Sequence, residues 1–409
     1  MRKSAIGLLV VGAATSLALS GCSSSKKTTS DVTSAAGGAA SSATSAAGSA
    51  ASSATGSMSA SMSASASDSG SSTGSGTGGG TVDGKGAKVG IILPDTQSSN
   101  RWVSADPDAL KADCAKANLK CDIQNAGGSA AKQKTIAGQM AASGVKVIML
   151  VNLDAASGAT IEQQAKKNGV ITIDYDRLTP GGGAALYVSF DNTKVGELQG
   201  KALTECSQVK GKPAVKYVDI NGAPTDNNAT LFKQGYDSVL SKTPGWTKVG
   251  DQTGNWDAPT AGRVFNSFIQ KNPDIGAVMV ANDTMAGAVI TNLTNLHLAG
   301  KVAVGGQDAS PAGLQQILAG NQCFTIYKPS TGEAGPAVNA AAQLANGQIP
   351  TTTSKIEDPK THQMVPAILA TPIAITKANV AEPINAGYTA KDQVCTAKYA
   401  AMCTAAGIK

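Results

Sequence analysis

From Lys88 onward the chain alternates between two hydrophobic periods. Short, nearly continuous apolar runs recur: KVGIIL (88–93), VKVIMLV (145–151), VITI (170–173), AVKYVDI (214–220), AVMVA (277–281), VAV (302–304) and CFTIY (323–327). Runs of this length suit parallel strands buried on both faces. Most are followed by a helix-like segment, which predicts helices over 131–142, 157–168, 194–204, 229–240, 261–270, 284–293, 311–318 and 333–345. Strand, helix, strand, helix specifies an α/β fold with parallel sheets. The stretch from Lys85 to Lys409 exceeds what one hydrophobic core usually supports, so two lobes are expected.

Polar side chains interrupt this pattern at one place in each cycle. In ITIDYDRL (171–178) an apolar strand runs straight into Asp174, Asp176 and Arg177. Buried charge is costly unless paired. The other strands end in the same way. Arg101 and Trp102 follow the first, Asp226, Asn227 and Asn228 follow 214–220, and Asn282 and Asp283 follow 277–281. Gln307 and Asp308 follow 302–304, and Lys328 follows 323–327. In open parallel sheets the ligand crevice lies at the carboxyl ends of the strands. The repetition predicts one shared cleft. Each residue alone also has a plainer role. Asp283 precedes a helix and reads as its N-cap, and Asp226 could cap the helix near Ala229. Ser310 before Pro311 reads as a cap with proline at N1, which leaves Asp308 free. Asp174 could simply order its loop.

The N-terminal part carries no such periodicity. Arg2 and Lys3 precede a short apolar run, Ile6 to Leu19, too short to span a bilayer, which reads as a secretory signal peptide over 1–21. Its end, LSGC, is similar to the lipobox of bacterial lipoproteins, which implies diacylation of Cys22; two acyl chains suffice for stable anchoring. Residues 22–84 then form a Ser/Ala/Gly linker that cannot bury enough apolar area to offset its chain entropy. Its random-coil reach is roughly 45 Å. A globular head outside the cytoplasm, held to the cell membrane only by this lipid anchor, is expected.

Composition narrows the chemistry. The net charge of +6 is spread along the chain with no basic stripe, so nucleic acid is not a predicted partner. Six cysteines remain beyond Cys22, an even number that favours disulfides outside the cytoplasm. Proximity suggests Cys114–Cys121 and Cys395–Cys403, leaving Cys206–Cys323; sequence leaves the connectivity open. The spacings are not those of a zinc site and only two histidines exist, so neither metal nor cofactor is expected. Among the strand-end residues, Arg101, Arg177 and Lys328 balance Asp176, Asp226 and Asp308. A phosphate or carboxylate site should carry surplus positive charge. A balanced set of donors and acceptors suits a neutral polyol. Trp102 and Trp256 sit in polar loop sequence, where an indole face could cover the apolar face of a pyranose or simply plug the lobe surface; Trp246 reads as structural.

Several stretches carry a family resemblance: YDRL (175–178), YVSFDNTKVGELQGKAL (187–203), DNNATLFKQG (226–235), VGDQ (249–252), ANDTMAGA (281–288), LAGKVAVGGQDA (298–309) and YKP (327–329). From Lys85 to about Gln393 the chain resembles the xylose-binding proteins of bacterial ABC importers, within the type 1 periplasmic binding proteins. The resemblance implies two Rossmann-like lobes joined by a three-crossing hinge. It places 85–190 plus 328–365 in an N-terminal lobe and 191–327 plus 366–409 in a C-terminal lobe. Hinges are implied near Ser189–Asn192, Lys328–Ser330 and Ala370–Ile373. It implies a monosaccharide, most specifically D-xylose, held by Arg101, Trp102, Asp176, Arg177, Asp226, Asn228, Trp256, Asn282, Asp308 and Lys328. It implies a monomer that delivers its ligand to an ABC permease and its ATPase. The segment PDTQSSNRW departs from the family, which tends to carry acidic and basic residues before the Arg-Trp pair.

Two other functions fit parts of the pattern. A carboxylate pair such as Asp226 and Asp308 could serve a glycosidase, but the matched cations and the motif resemblance argue against an enzyme. The chain has no GxxxxGK[ST] phosphate loop for ATP hydrolysis. A tethered sensor that reports sugar occupancy to a signalling partner is compatible with the same residues, as is a binding protein for glucose or ribose.

Overall fold

The computed structural model describes residues 80–408. The expected signal peptide, Cys22 and the linker up to residue 79 lie outside the described residues. The chain starts with β1 (Lys88–Leu93), α1 (Ala105–Lys116), β2 (Lys120–Asn125), α2 (Ala130–Ala142), β3 (Val147–Leu150), α3 (Ala155–Lys167), β4 (Ile171–Tyr175) and β5 (Leu186–Phe190). At Asp191 it passes into a second sheet system. This comprises α4 (Asn192–Thr204), β6 (Val215–Asn221), α5 (Asn227–Leu240), β7 (Trp246–Thr253), α6 (Ala258–Lys271) and β8 (Ile275–Val280), then α7 (Asp283–Asn295), β9 (Ala303–Val304), α8 (Pro311–Ala319) and β10 (Phe324–Tyr327). It returns through Lys328–Ser330 to α9 (Thr331–Ala345), β11 (Ser354–Glu357) and β12 (Met364–Ala370). A third passage leads to β13 (Ile373–Thr376) and a C-terminal segment of short helical turns.

The strand order in the first lobe is β11-β12-β5-β4-β3-β1-β2, parallel except for β11. The second has the parallel order β7-β6-β8-β9, and β10 pairs with β13 in a separate antiparallel ribbon. Both main sheets are covered on two faces, as continuous apolar strands require. In the first lobe Val89, Ile91, Met149 and Ile173 pack under α1 and α9, while Ile92, Ile148 and Leu150 pack under α2 and α3. In the second, Val218, Ile220 and Val280 face α6 and α7, and Tyr217, Ala277 and Met279 face α4 and α5. Each fully buried aliphatic side chain of this kind contributes about 1.5–3 kcal/mol.

The predicted helices and strands are present with boundaries moved by a few residues. The sequence pattern does not yield α1, β2, β5, β7, β11, β12, β13 or the short C-terminal helical turns, and three of these show why. α1 (ADPDALKADCAK) has few apolar positions and an early proline, and it is stabilised by packing on α9 rather than by its own periodicity. β2 (KCDIQN) and β7 (WTKVGDQT) are edge strands with one partner each, so they tolerate polar residues that would be costly in the middle of a sheet. The disulfides are Cys114–Cys121, Cys206–Cys323 and Cys395–Cys403, the pairing that proximity suggested.

Candidate functional site

Seven strands end at one cleft between the lobes. Its walls are nearly closed on each other and leave a free volume of about 20 Å³. Ser98, Ser99 and Trp102 follow β1, and Asp176 and Arg177 follow β4. Asp226 and Asn228 follow β6, Trp256 follows β7, Asn282 follows β8, Gln307 and Asp308 follow β9, and Lys328 follows β10. Phe232 reaches in from α5. Nine of the ten candidate residues therefore line one cleft.

Arg101 is the exception. The β1 loop turns its guanidinium away from the cleft wall. Nε and one NH2 proton donate to the two oxygens of Asp106 at 2.9 and 2.7 Å, another NH2 bond reaches Glu333 at 2.5 Å, and NH1 reaches Asp176 at 2.6 Å. The side chain is 1% exposed. Three carboxylates occupy it, so it corrects the sequence expectation of a wall residue: Arg101 stands behind the wall and holds Asp176. Burial works against this cation, but Asp106, Glu333 and Asp176 more than offset it and raise its pKa. Burial pushes the Glu333 carboxyl well up, against the pull of Arg101.

Most wall residues have one local job and one that faces the other lobe. Asp226 caps α5 by accepting from the Asn228 amide at 2.9 Å. Its second oxygen lies 3.0 Å from Arg177 Nε as an ion pair and accepts from the Trp256 indole N–H at 3.1 Å. Asn282, not Asp283, caps α7 by accepting from Met285 N–H; its amide donates to the Ser98 carbonyl at 2.7 Å. Asp283 lies inside the first turn of α7 and accepts from Ser310 N–H and Gln322; burial outweighs these two bonds, which stabilise the carboxylate, and pushes its pKa up to about 7. Ser310 caps α8 ahead of Pro311, as its sequence implies. Asp174 accepts from the amide and hydroxyl of Thr179 and so orders the loop that carries Asp176 and Arg177. Asn228 donates to the Asp176 backbone carbonyl at 2.9 Å and carboxylate at 3.2 Å.

Lys328 lies on the second passage between the lobes, 3.2 Å from Asp308 and 3.9 Å from Asp176. Ser99 donates to the other Asp308 oxygen at 2.8 Å. Burial alone would raise the Asp176 pKa, but Lys328, Arg101 and Arg177 overcome it and bring it below the ordinary aspartate value. For Asp226 burial prevails over Arg177, and its pKa is raised. Asp176 (φ 64°) and Asp308 (φ 91°) both occupy left-handed backbone, a conformation costly for non-glycine residues and found at sites where the surroundings enforce it.

The two cleft tryptophans are fixed differently. Trp102 has the Arg101 and Arg177 guanidinium carbons 4.8 and 5.8 Å from its ring centroid. Trp256 lies across Gly222, where a Cβ would sit 2.0 Å from the indole. Trp246 packs at a tilt against Tyr217 and does not line the cleft. Two buried polar atoms of the wall have no protein partner among the described residues: the Trp102 indole N–H and the Gln307 side-chain oxygen. One is a donor and the other an acceptor.

A family model described as a periplasmic binding protein domain matches residues 89–349. The D-xylose-binding periplasmic protein of Escherichia coli (strain K12) is 34% identical over 305 residues, which cover 73% of this chain and 90% of that protein. The chain belongs to the periplasmic binding protein family. A D-xylose-binding periplasmic protein from Haemophilus influenzae is 33% identical over 316 residues, 76% of this chain and 92% of its own length. A carbohydrate transporter solute-binding protein from Chloroflexus aurantiacus, solved in complex with D-glucose, superposes with a TM-score of 0.67 at 28% identity, covering 75% of this chain and 97% of the other. No helix among the described residues is long and apolar enough to cross a membrane.

Proposed function

We propose that the chain is an extracytoplasmic lipoprotein that binds a neutral monosaccharide, D-xylose first, between two closing lobes and presents it to an ABC permease and its ATPase. Asp176, Arg177, Asp226, Asn228, Asn282, Asp308 and Lys328 hydrogen-bond the sugar hydroxyls, and Trp102 and Trp256 cover its apolar faces. Arg101 acts through Asp176. The observation that carries the proposal is the pair of unpartnered atoms in the wall, the Trp102 N–H and the Gln307 oxygen. A buried polar group without a partner costs about 1–3 kcal/mol, and a hydroxyl, which both donates and accepts, suits either. The absence of surplus positive charge disfavours sugar phosphates and sugar acids. The xylose-binding relatives support xylose, and the glucose-bound neighbour supports glucose as the second choice. Anchoring through Cys22 is supported by the LSGC sequence, and monomeric action by the placement of the cleft within one chain.

Calorimetry with a panel of monosaccharides tests this. Xylose is expected to bind with a micromolar dissociation constant, about −8 kcal/mol. Heat from glucose or ribose but none from xylose replaces the ligand. Silence across the whole panel overturns sugar binding.

A further inference from the structure

Asp308 and Ala309 form a pair of consecutive non-glycine residues in left-handed backbone, with φ of 91° and 46°. L-residues do not hold such a turn unaided. Their amides are tied to the β10 region: Asp308 N–H donates to the Ile326 carbonyl at 2.8 Å and Ala309 N–H to the Thr325 hydroxyl at 3.1 Å. Their carbonyls are tied from elsewhere. The Tyr388 hydroxyl donates to the Asp308 carbonyl at 2.9 Å, and the Thr389 hydroxyl donates to the Ala309 carbonyl at 3.2 Å. All four backbone polar groups of the turn are thereby fixed. Tyr388 and Thr389 belong to the C-terminal segment, beyond residues 89–349 that the family model matches.

That segment is anchored. Val380, Val394, Cys403 and Ile408 pack with Leu314, Ile317 and Ala309 in one apolar cluster. The Cys395–Cys403 disulfide closes its end, and Gln315 donates to the carbonyls of Gln393 and Val394. The Tyr388 ring meets the edge of Tyr327 at 4.9 Å between centroids, and Tyr327 immediately precedes Lys328. The same side chain therefore touches the backbone of Asp308 and the residue next to its cationic partner.

We infer that Tyr388 and Thr389 are positioning residues for ligand binding: their hydroxyls hold the Asp308–Ala309 turn so that the Asp308 carboxylate meets Lys328, Ser99 and the bound sugar. The ligand in this statement rests on the function proposed above. Binding groups must be held within a fraction of an ångström, and supporting hydrogen bonds usually do this.

The test is the double variant Tyr388→Phe/Thr389→Val, which keeps ring and branch and deletes both hydroxyls. Two measurements are made on the full chain. Hydrogen exchange without sugar is expected to accelerate about tenfold in peptides spanning 305–310, with the β1–β5 strands unaffected. Calorimetry is expected to show xylose binding weakened about tenfold, and Thr389→Ser, which keeps a hydroxyl, is expected to bind as the parent does. Unchanged exchange at 305–310 overturns the inference. A lower melting temperature with unchanged affinity also overturns it, by reducing the two residues to packing. If the parent chain binds none of the sugars, the sugar proposal fails, and the exchange measurement alone decides whether the hydroxyls hold the turn.

Discussion

The second lobe carries another cluster of three carboxylates with cations, and it is instructive beside the cleft. Asp219 on β6, Asp251 on β7 and Asp237 on α5 surround Lys233 and Lys248. Lys248 is 2.6 Å from Asp219 and 3.3 Å from Asp251, and also pairs with Asp237; Lys233 is 2.5 Å from Asp251 and 2.8 Å from Asp237. By charge density alone the two clusters look alike. The outer one belongs to a single lobe, lies along neighbouring elements of one sheet and its covering helix, and leaves its lysines about a third exposed. The cleft cluster is almost wholly buried, and it includes a pair between groups of opposite lobes, Arg177–Asp226. Charge density therefore does not mark a site. The cleft charges differ in facing each other across a hinge, at the carboxyl ends of parallel strands, where open parallel sheets place their ligand crevice.

The largest expected effect is on folding, at the back of the cleft. Arg101→Met strands Asp106, Glu333 and Asp176 without their cation, and breaking buried pairs costs about 3–5 kcal/mol. Urea denaturation should show this loss; a stability equal to the parent's would mean that the cluster does not depend on Arg101. Asp308→Asn keeps the shape and the tolerance for left-handed backbone but removes a charge. It should weaken sugar binding by about 1.5–3 kcal/mol, roughly 10- to 150-fold, with the melting temperature little changed. Equal affinity would remove Asp308 from the wall. Asp251→Asn, in the outer cluster, should be the smallest change, within about 1 kcal/mol of stability and without effect on affinity. A marked loss of affinity there would break the distinction between the clusters.

Much of this arrangement was legible because strands are short and their ends are easy to see. A polar residue directly after VITI or AVMVA can only lie near the sheet's edge, and parallel strands put those edges together. What the pattern could not supply was the direction of a side chain. Arg101 was placed on the correct loop, but the three carboxylates that take it include Glu333, which reads in sequence as an ordinary helix residue. Ser98 and Ser99 were missed because small hydroxyls in a loop carry no periodic signal. Phe232 looks like core on an amphipathic helix, and it is core on one side: it packs in the second lobe and lines the cleft as well. Gln307 was noted at a strand end, but its free oxygen emerges only once its neighbours are in place. Asn282 takes the capping role expected of Asp283 while keeping its place in the wall, since either could cap α7 in sequence and only the burial of Asp283 decides between them.

The bonds that join the walls have a consequence for selectivity. Ser99–Asp308, Ser98–Asn282, Arg177–Asp226 and Asn228–Asp176 are direct contacts between the lobes, and all must part when the lobes separate. Admission of a guest is then an exchange reaction, in which its hydroxyls take over bonds from a latch the molecule already possesses. A guest lacking one hydroxyl would leave a latch atom stranded and buried. Discrimination would arise less from attraction to the right sugar than from failure to re-close around the wrong one.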